Sequence, residues 1–123
     1  MSRESVTDAE LRVESSFDED SVGLALSGSA DTRSMDALGK VVSRAKSEAR
    51  RTSVREIVVD LRELDFMNSS CFKYFVSWIC AAQEEAPPSV QRFRFRSDPK
   101  RLWQRRSLHA LHGLAAELVV IES

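Results

Sequence analysis

Residues 57–70 read Ile57-Val58-Val59-Asp60-Leu61-Arg62-Glu63-Leu64-Asp65-Phe66-Met67-Asn68-Ser69-Ser70. The first five, IVVDL, are an apolar, β-branched run interrupted only by Asp60. Such a run marks a strand covered on both faces, as in a parallel sheet. Residues 64–68 read as a short connection. A helix is predicted over 70–85, because Phe72, Phe75, Val76, Ile79 and Cys80 recur at i, i+3, i+4, i+7 and i+8. Pro87-Pro88 stops it. A buried strand leading through a short turn into an amphipathic helix is the repeating unit of α/β folds.

The chain on either side repeats this unit. Upstream, residues 11–17 alternate, with Leu11, Val13, Ser15 and Phe17 on one face. Asp18-Glu19-Asp20-Ser21 makes a turn, and residues 22–26 (VGLAL) a second strand, weakened by Gly23 and ended by Gly28. Asp31 or Thr32 caps a first helix carrying Met35, Leu38, Val42, Ala45 and Ala49 at helical spacing. Downstream, RFRFR at 92–96 alternates strictly. A third helix is expected over 100–112, with Leu102, Trp103, Leu108 and Leu111 inward and Gly113 ending it. Residues 118–121 (LVVI) are the last strand. Residues 1–10 read as a flexible N-terminal arm. The order β-β-α-β-α-β-α-β predicts one α/β domain over residues 11–123. Its sheet is mixed and mostly parallel, with about five strands and three to four helices packed on it.

Composition limits the function. Of 123 residues, 42% are hydrophobic and 30% charged, which is globular rather than disordered. Net charge is −1, from 18 basic and 19 acidic residues, so the chain as a whole lacks a nucleic-acid footprint. No run approaches the ~20 apolar residues of a membrane span, and the opening MSRESVTDAE carries no apolar export segment. Cys71 and Cys80, on one helix, stand ~13 Å apart, too far to bridge. Free thiols without an export signal point to the cytoplasm.

Enzyme signatures are missing. GxGxxG, GxxxxGK[ST], CxxC and GxSxG do not occur. His109 and His112 lie at i, i+3 without an acidic or thiol partner pattern, so no metal site or other cofactor is expected. Ser69, Ser70 and Cys71 have no histidine nearby in sequence to act as base.

The serines stand where the second helix begins. One reading makes Asn68, Ser69 or Ser70 its N-cap. The other makes a serine a phosphoacceptor, because free N–H groups and the helix dipole favour an anion there. A phosphate of ~−1.5 to −2 would then act on a docked partner rather than on the fold.

Three motifs in order extend this second reading. They are Leu26-Ser27-Gly28-Ser29-Ala30-Asp31, the stretch from Ile57 to Ser70, and Ser97-Asp98-Pro99-Lys100-Arg101-Leu102-Trp103 with Leu108 and Leu111. Together they resemble the STAS domain, the family of bacterial anti-sigma-factor antagonists: its L-x-G-x-x-D element, its strand and D-S-S-G phosphorylation loop, and its final helix. The resemblance runs from about Leu11 to Glu122. It implies a cytoplasmic partner-switching protein, not an enzyme, that binds an anti-sigma factor which is also a GHKL-type serine kinase. Phosphorylation of the loop serine breaks the complex and a PP2C-type phosphatase restores it. Ser69 matches the acceptor, with Ser70 as the alternative. Asp31, Asn68, Ser70, Cys71, Tyr74 and Trp78 fall on the implied partner surface. Asn68 stands where the family has Asp, and Cys71-Phe72 where it has Gly and a small apolar residue.

Further readings remain. Tyr74, Trp78 and Ala81 share a line off the apolar stripe of the second helix, either a contact surface or packed on a neighbouring loop. Cys71, near a helix start, is a candidate low-pKa thiol or a plain half-buried one. The cluster of arginines from Arg92 to Arg106 is either a solvated, charge-protected edge or a site for an acidic partner. A constitutive adaptor without the switch, and a small-ligand or nucleotide sensor, are the alternative functions. Neither nucleic acid nor membrane is expected as a partner, and the chain is expected as a monomer or weak dimer.

Overall fold

A computed structural model describes residues 2–85 and 92–123. In chain order the elements are β1 (Ser2–Asp8), β2 (Leu11–Phe17), β3 (Ser21–Ala30), a 3-10 turn (Thr32–Ser34), α1 (Met35–Thr52), β4 (Glu56–Met67), α2 (Ser69–Glu84), β5 (Arg92–Arg96), α3 (Leu102–Leu114) and β6 (Val119–Glu122). Six strands form one sheet in the order β1-β2-β3-β4-β5-β6. The first three are antiparallel neighbours, and β3 through β6 run parallel. Right-handed crossovers that always step to the next strand put every helix on the same face. The alternation agrees: Leu11, Val13, Leu24, Leu26, Ile57, Val59, Phe93 and Phe95 are buried, while their neighbours Arg12, Glu14, Ala25, Asp60, Arg92 and Arg96 line an open face.

The mixed, mostly parallel α/β architecture is the expected one, with one strand more. The addition is residues 2–8, read from the sequence as an arm. They pair with all of β2 in a hairpin whose turn holds Ala9 at φ 54°. All seven are exposed, so no burial periodicity betrays them. The expected end of the second helix at Pro87-Pro88 lies outside the described residues.

β4 departs most from its reading. It continues to Met67, through the stretch read as a connection. Its register against β3 slips between Ala25 and Ser27 and again between Gly28 and Ser29. Each slip gives β4 one extra residue, a β-bulge. Inward positions therefore fall at Ile57, Val59, Leu61, Leu64 and Met67, and a search for strict alternation loses the strand after Leu61. β3 also continues past Gly28, which adopts φ +87° within it. A Cβ at Gly28 would stand 1.8 Å from the carbonyl oxygen of Glu10, so only glycine lets the two backbones meet.

Gln104 of α3 braces the irregular part of β4. It is fully buried. Its Nε2 donates to the carbonyls of Leu61 (2.6 Å) and Leu64 (3.2 Å), and its Oε1 accepts from the Asp98 N–H at 2.9 Å. Polar groups that the bulge withdraws from the ladder are thereby satisfied. Between sheet and helices, Phe75 meets Phe95 and Trp78 meets Phe93, both edge to face, with centroids 6.3 and 5.2 Å apart. Helix α3 runs to Leu114, past the Gly113 expected to end it, and Leu102 is exposed rather than inward.

Candidate functional site

The parallel strands β3 and β4 end side by side, and the chain leaves both at helix starts. Asn68 donates its N–H to the Ala30 carbonyl at 2.9 Å, tying the two exits together. Asn68 is the N-cap of α2: its Oδ1 accepts from the Cys71 N–H at 2.8 Å, and its carbonyl accepts from the Phe72 N–H at 3.1 Å. Asp31 caps the 3-10 turn. Its carboxylate accepts from the Arg33 N–H at 2.9 Å and from the Arg33 guanidinium at 2.8 Å, and its N–H donates to Ser34 Oγ at 3.2 Å. The Arg33 guanidinium beside it holds the Asp31 carboxyl below its usual range. Arg33 also reaches Glu10 at 3.4 Å.

Ser69 and Ser70 occupy the first turn of α2, both exposed. Among the described residues neither hydroxyl has a hydrogen-bond partner. Of the three candidates for the cap, Asn68 takes the role. Phe66 stands beside them, 47% exposed, turned outward by the second bulge. On the far side Arg101 pairs with Asp65 at 2.7 Å and donates to the Arg62 carbonyl at 3.2 Å. The site is a surface: two exposed hydroxyls and an exposed phenyl ring between two ion clusters at the carboxyl ends of the strands.

Asp31, Asn68, Ser69, Ser70 and Cys71 are thus brought together. Cys71 lies beneath that surface, fully buried, its Sγ 3.6 Å from the Asp31 carbonyl oxygen. Burial, and then the Asp31 charge, pushes its thiol pKa up, which corrects the low-pKa reading: Cys71 is a neutral spacer and weak donor. Tyr74, one turn on, is half-buried against α1, where a Cβ on Gly39 would lie 2.8 Å from its ring. Trp78 is 4% exposed and belongs to the core. The inward stripe of α2 is Cys71, Phe75, Trp78, Ile79 and Ala82, one position off the predicted set, so Trp78 and Cys71 offer no surface to a partner in this state.

The arginines of β5 are also placed differently. β5 lies inside the sheet, between β4 and β6, and is not an edge. On the open face Arg92 meets Glu56 at 3.5 Å, Arg94 meets Glu56 and Glu122, and Arg96 meets Glu122 at 3.6 Å. The charge of these three is answered within the sheet, so on β5 the reading of a site awaiting an acidic partner does not apply; Lys100, Arg105 and Arg106, exposed at and on α3, lie outside these pairs. His109 and His112 are exposed, and among the described residues no group of three His, Cys, Asp or Glu side chains could hold a metal. No helix among them is long and apolar enough to cross a membrane. Phe66, Gln104 and the Glu10–Arg33 contact escaped the sequence reading. The bulge that exposes the first and needs the second leaves no local signal beyond lost alternation.

With sheet order, one-sided helical layer and loop in place, the fold is that of a STAS-like domain, the fold of anti-sigma factor antagonists. The chain superposes on an anti-sigma factor antagonist from Mycobacterium paratuberculosis with a TM-score of 0.64 at 17% identity, covering 91% of this chain and 85% of that one. The anti-sigma factor antagonist SpoIIAA in its unphosphorylated form gives 0.59 at 17% identity, over 90% and 88%. A chain in the complex of the diguanylate cyclase SiaD with its activator SiaC from Pseudomonas aeruginosa gives 0.67 at 14% identity, over 96% and 97%. No family model and no curated protein sequence matches the chain.

Proposed function

We propose that this chain is a protein-interaction module of a bacterial partner-switching pathway, released from its partner by phosphorylation of Ser69, with Ser70 the alternative acceptor. The observation that carries this reading is the division of labour at the start of α2. Asn68 caps the helix, leaving both serine hydroxyls exposed and uncommitted. A phosphate there meets free N–H groups and the positive end of the helix dipole, so the fold bears it easily. A partner seated over Phe66, Asp31, Asn68, Ser70 and Tyr74 would instead face a new charge of ~−1.5 to −2 at its interface. The fold shared with two anti-sigma factor antagonists, one described in its unphosphorylated form, supports the same assignment. The partner is then an anti-sigma factor with GHKL-type serine-kinase activity, opposed by a PP2C-type phosphatase, and the module itself is the kinase's substrate rather than an enzyme.

Phosphopeptide mapping of the protein from its host, beside pull-downs with wild type, Ser69→Ala and Ser69→Asp, tests this. Phosphate on Ser69, a kinase retained by wild type and Ser69→Ala, and its loss from Ser69→Asp are expected. An unmodified loop with identical partners for all three forms would leave a constitutive adaptor. A second reading takes its support from the similarity to a chain of the SiaD–SiaC complex, where coverage of both chains is nearly complete: the bound partner is then a signalling enzyme activated by docking. The captured protein, and whether its activity rises on binding, separates the two.

A further inference from the structure

We propose that β1 is a self-association edge, through which two copies pair antiparallel to form one continuous twelve-stranded sheet from their two six-stranded ones. A sheet edge is a row of unpaired N–H and C=O groups, and natural edges are blunted by proline, by charged side chains, lysine above all, by bulges, by shortness or by a covering element. The edge at β6 is only 4 residues long. β1 has 7, Ser-Arg-Glu-Ser-Val-Thr-Asp, without proline, lysine or bulge, paired in unbroken register with β2 and exposed throughout; of its charged residues Arg3, Glu4 and Asp8, Glu4 is neutralised by Arg44.

The hydrogen-bonding direction of each residue follows from the ladder. Glu10 directs its carbonyl to the Ser29 N–H of β3. By alternation the main-chain groups of Leu11, Val13, Ser15 and Phe17 turn to β1, where they face Asp8, Val6, Glu4 and Ser2. Arg3, Ser5 and Thr7 are left directing their N–H and C=O groups outward.

A second copy meets these groups when the two-fold axis passes through Ser5. Arg3 then lies opposite Thr7 of the other copy and Ser5 opposite Ser5, so every outward donor finds an outward acceptor. The intervening pairs set Glu4 opposite Val6 and Ser2 opposite Asp8. No like charges are directly opposed, the condition that cross-strand pairing requires. On the helical side Glu4 is already held by Arg44 of α1 at 2.8 Å, which fixes the edge, and Val6, otherwise exposed, gains a neighbour. The seam lies at the rim of the sheet and uses none of the residues around Ser69.

Light scattering after size exclusion, over a concentration series of the full chain, tests this. The mass is expected to rise from 13.9 kDa towards twice that value. Ser5→Pro removes an N–H that β1 does not use with β2, so the hairpin tolerates it as an edge strand does, and the mass is expected to stay at the monomer. Ser5→Thr retains the N–H and the dimer. In wild type, amide exchange at Arg3, Ser5 and Thr7 should slow as concentration rises, a readout that stands even if Ser5→Pro fails to fold. A monomer at every concentration, a dimer unchanged in folded Ser5→Pro, or pairing of β1 only with a strand of another protein would overturn the proposal.

Discussion

Gly28 lies where a single methyl group has the largest effect. The Glu10 carbonyl that a Cβ would strike also accepts from the Ser29 N–H at 3.1 Å, closing β2 onto β3 beside the Asp31 turn. The obstructing atom is backbone, so no side chain can swing aside, and φ +87° strains any L residue. Gly28→Ala is expected to lose about 3 kcal/mol or more, read as a lower urea midpoint at unchanged slope. Gln104→Leu keeps the bulk but leaves the Leu61 and Leu64 carbonyls and the Asp98 N–H without their partner. With about 1–3 kcal/mol for a buried group so stranded, a loss near 3 kcal/mol is expected in the same measurement. Asn68 offers a finer contrast. Asn68→Ala removes the cap on the Cys71 N–H and should cost about 1 kcal/mol. Asn68→Asp keeps the cap and adds a carboxylate at the positive end of α2, so thermal melts should place it at or slightly above wild type.

Legibility differs element by element. β2 and β5 were readable to the residue, because each alternates against a single buried face. The first half of β4 was readable from its β-branched run. Its second half was not, because two bulges shift the inward phase twice within residues 61–67. β1 was unreadable for the opposite reason: neither of its faces is buried, so pairing with β2 leaves no trace in hydrophobicity. In α2 the helix was plain but its rotation was not. Phe72, Val76 and Cys80 form as good a stripe as Cys71, Phe75, Trp78 and Ala82, and only the sheet beneath, with Phe93 and Phe95 waiting, chooses between them. The serines of the site were visible in the sequence, whereas the identity of the cap beside them required the backbone. Trp78→Ala tests the rotation directly. A core tryptophan set edge to face on Phe93 should cost about 3–5 kcal/mol on truncation, whereas a surface contact would leave the denaturation midpoint in place.

At the scale of the whole molecule, the described helices cover one face of the sheet, and the other face carries a network of ion pairs. Asp60 sits near its centre. Its carboxylate accepts from the Arg62 guanidinium at 2.8 and 3.0 Å and from the Arg62 N–H at 3.1 Å, with Arg96 at 4.0 Å. The Arg62 side-chain bonds lower its pKa, with burial opposing and the Arg62 N–H and Arg96 assisting. The sign follows from linkage: a carboxyl whose folded pKa is depressed contributes stability above its unfolded value of about 3.9, and that contribution is lost as pH falls through the folded pKa. Asp31 and Glu48, each held low by arginine, act in the same direction. The arginines stay charged throughout, so protonation of Asp60 also leaves Arg62 and Arg96 without that counter-charge on the open face. Urea midpoints should therefore hold from neutral pH to about pH 5 and fall steeply below pH 4, with Asp60→Asn lower than wild type at pH 7 but less steep in acid. If Asp60→Asn were as acid-sensitive as wild type, the open face would be a solvated surface whose ion pairs contribute nothing measurable, and the helical layer alone would hold the sheet.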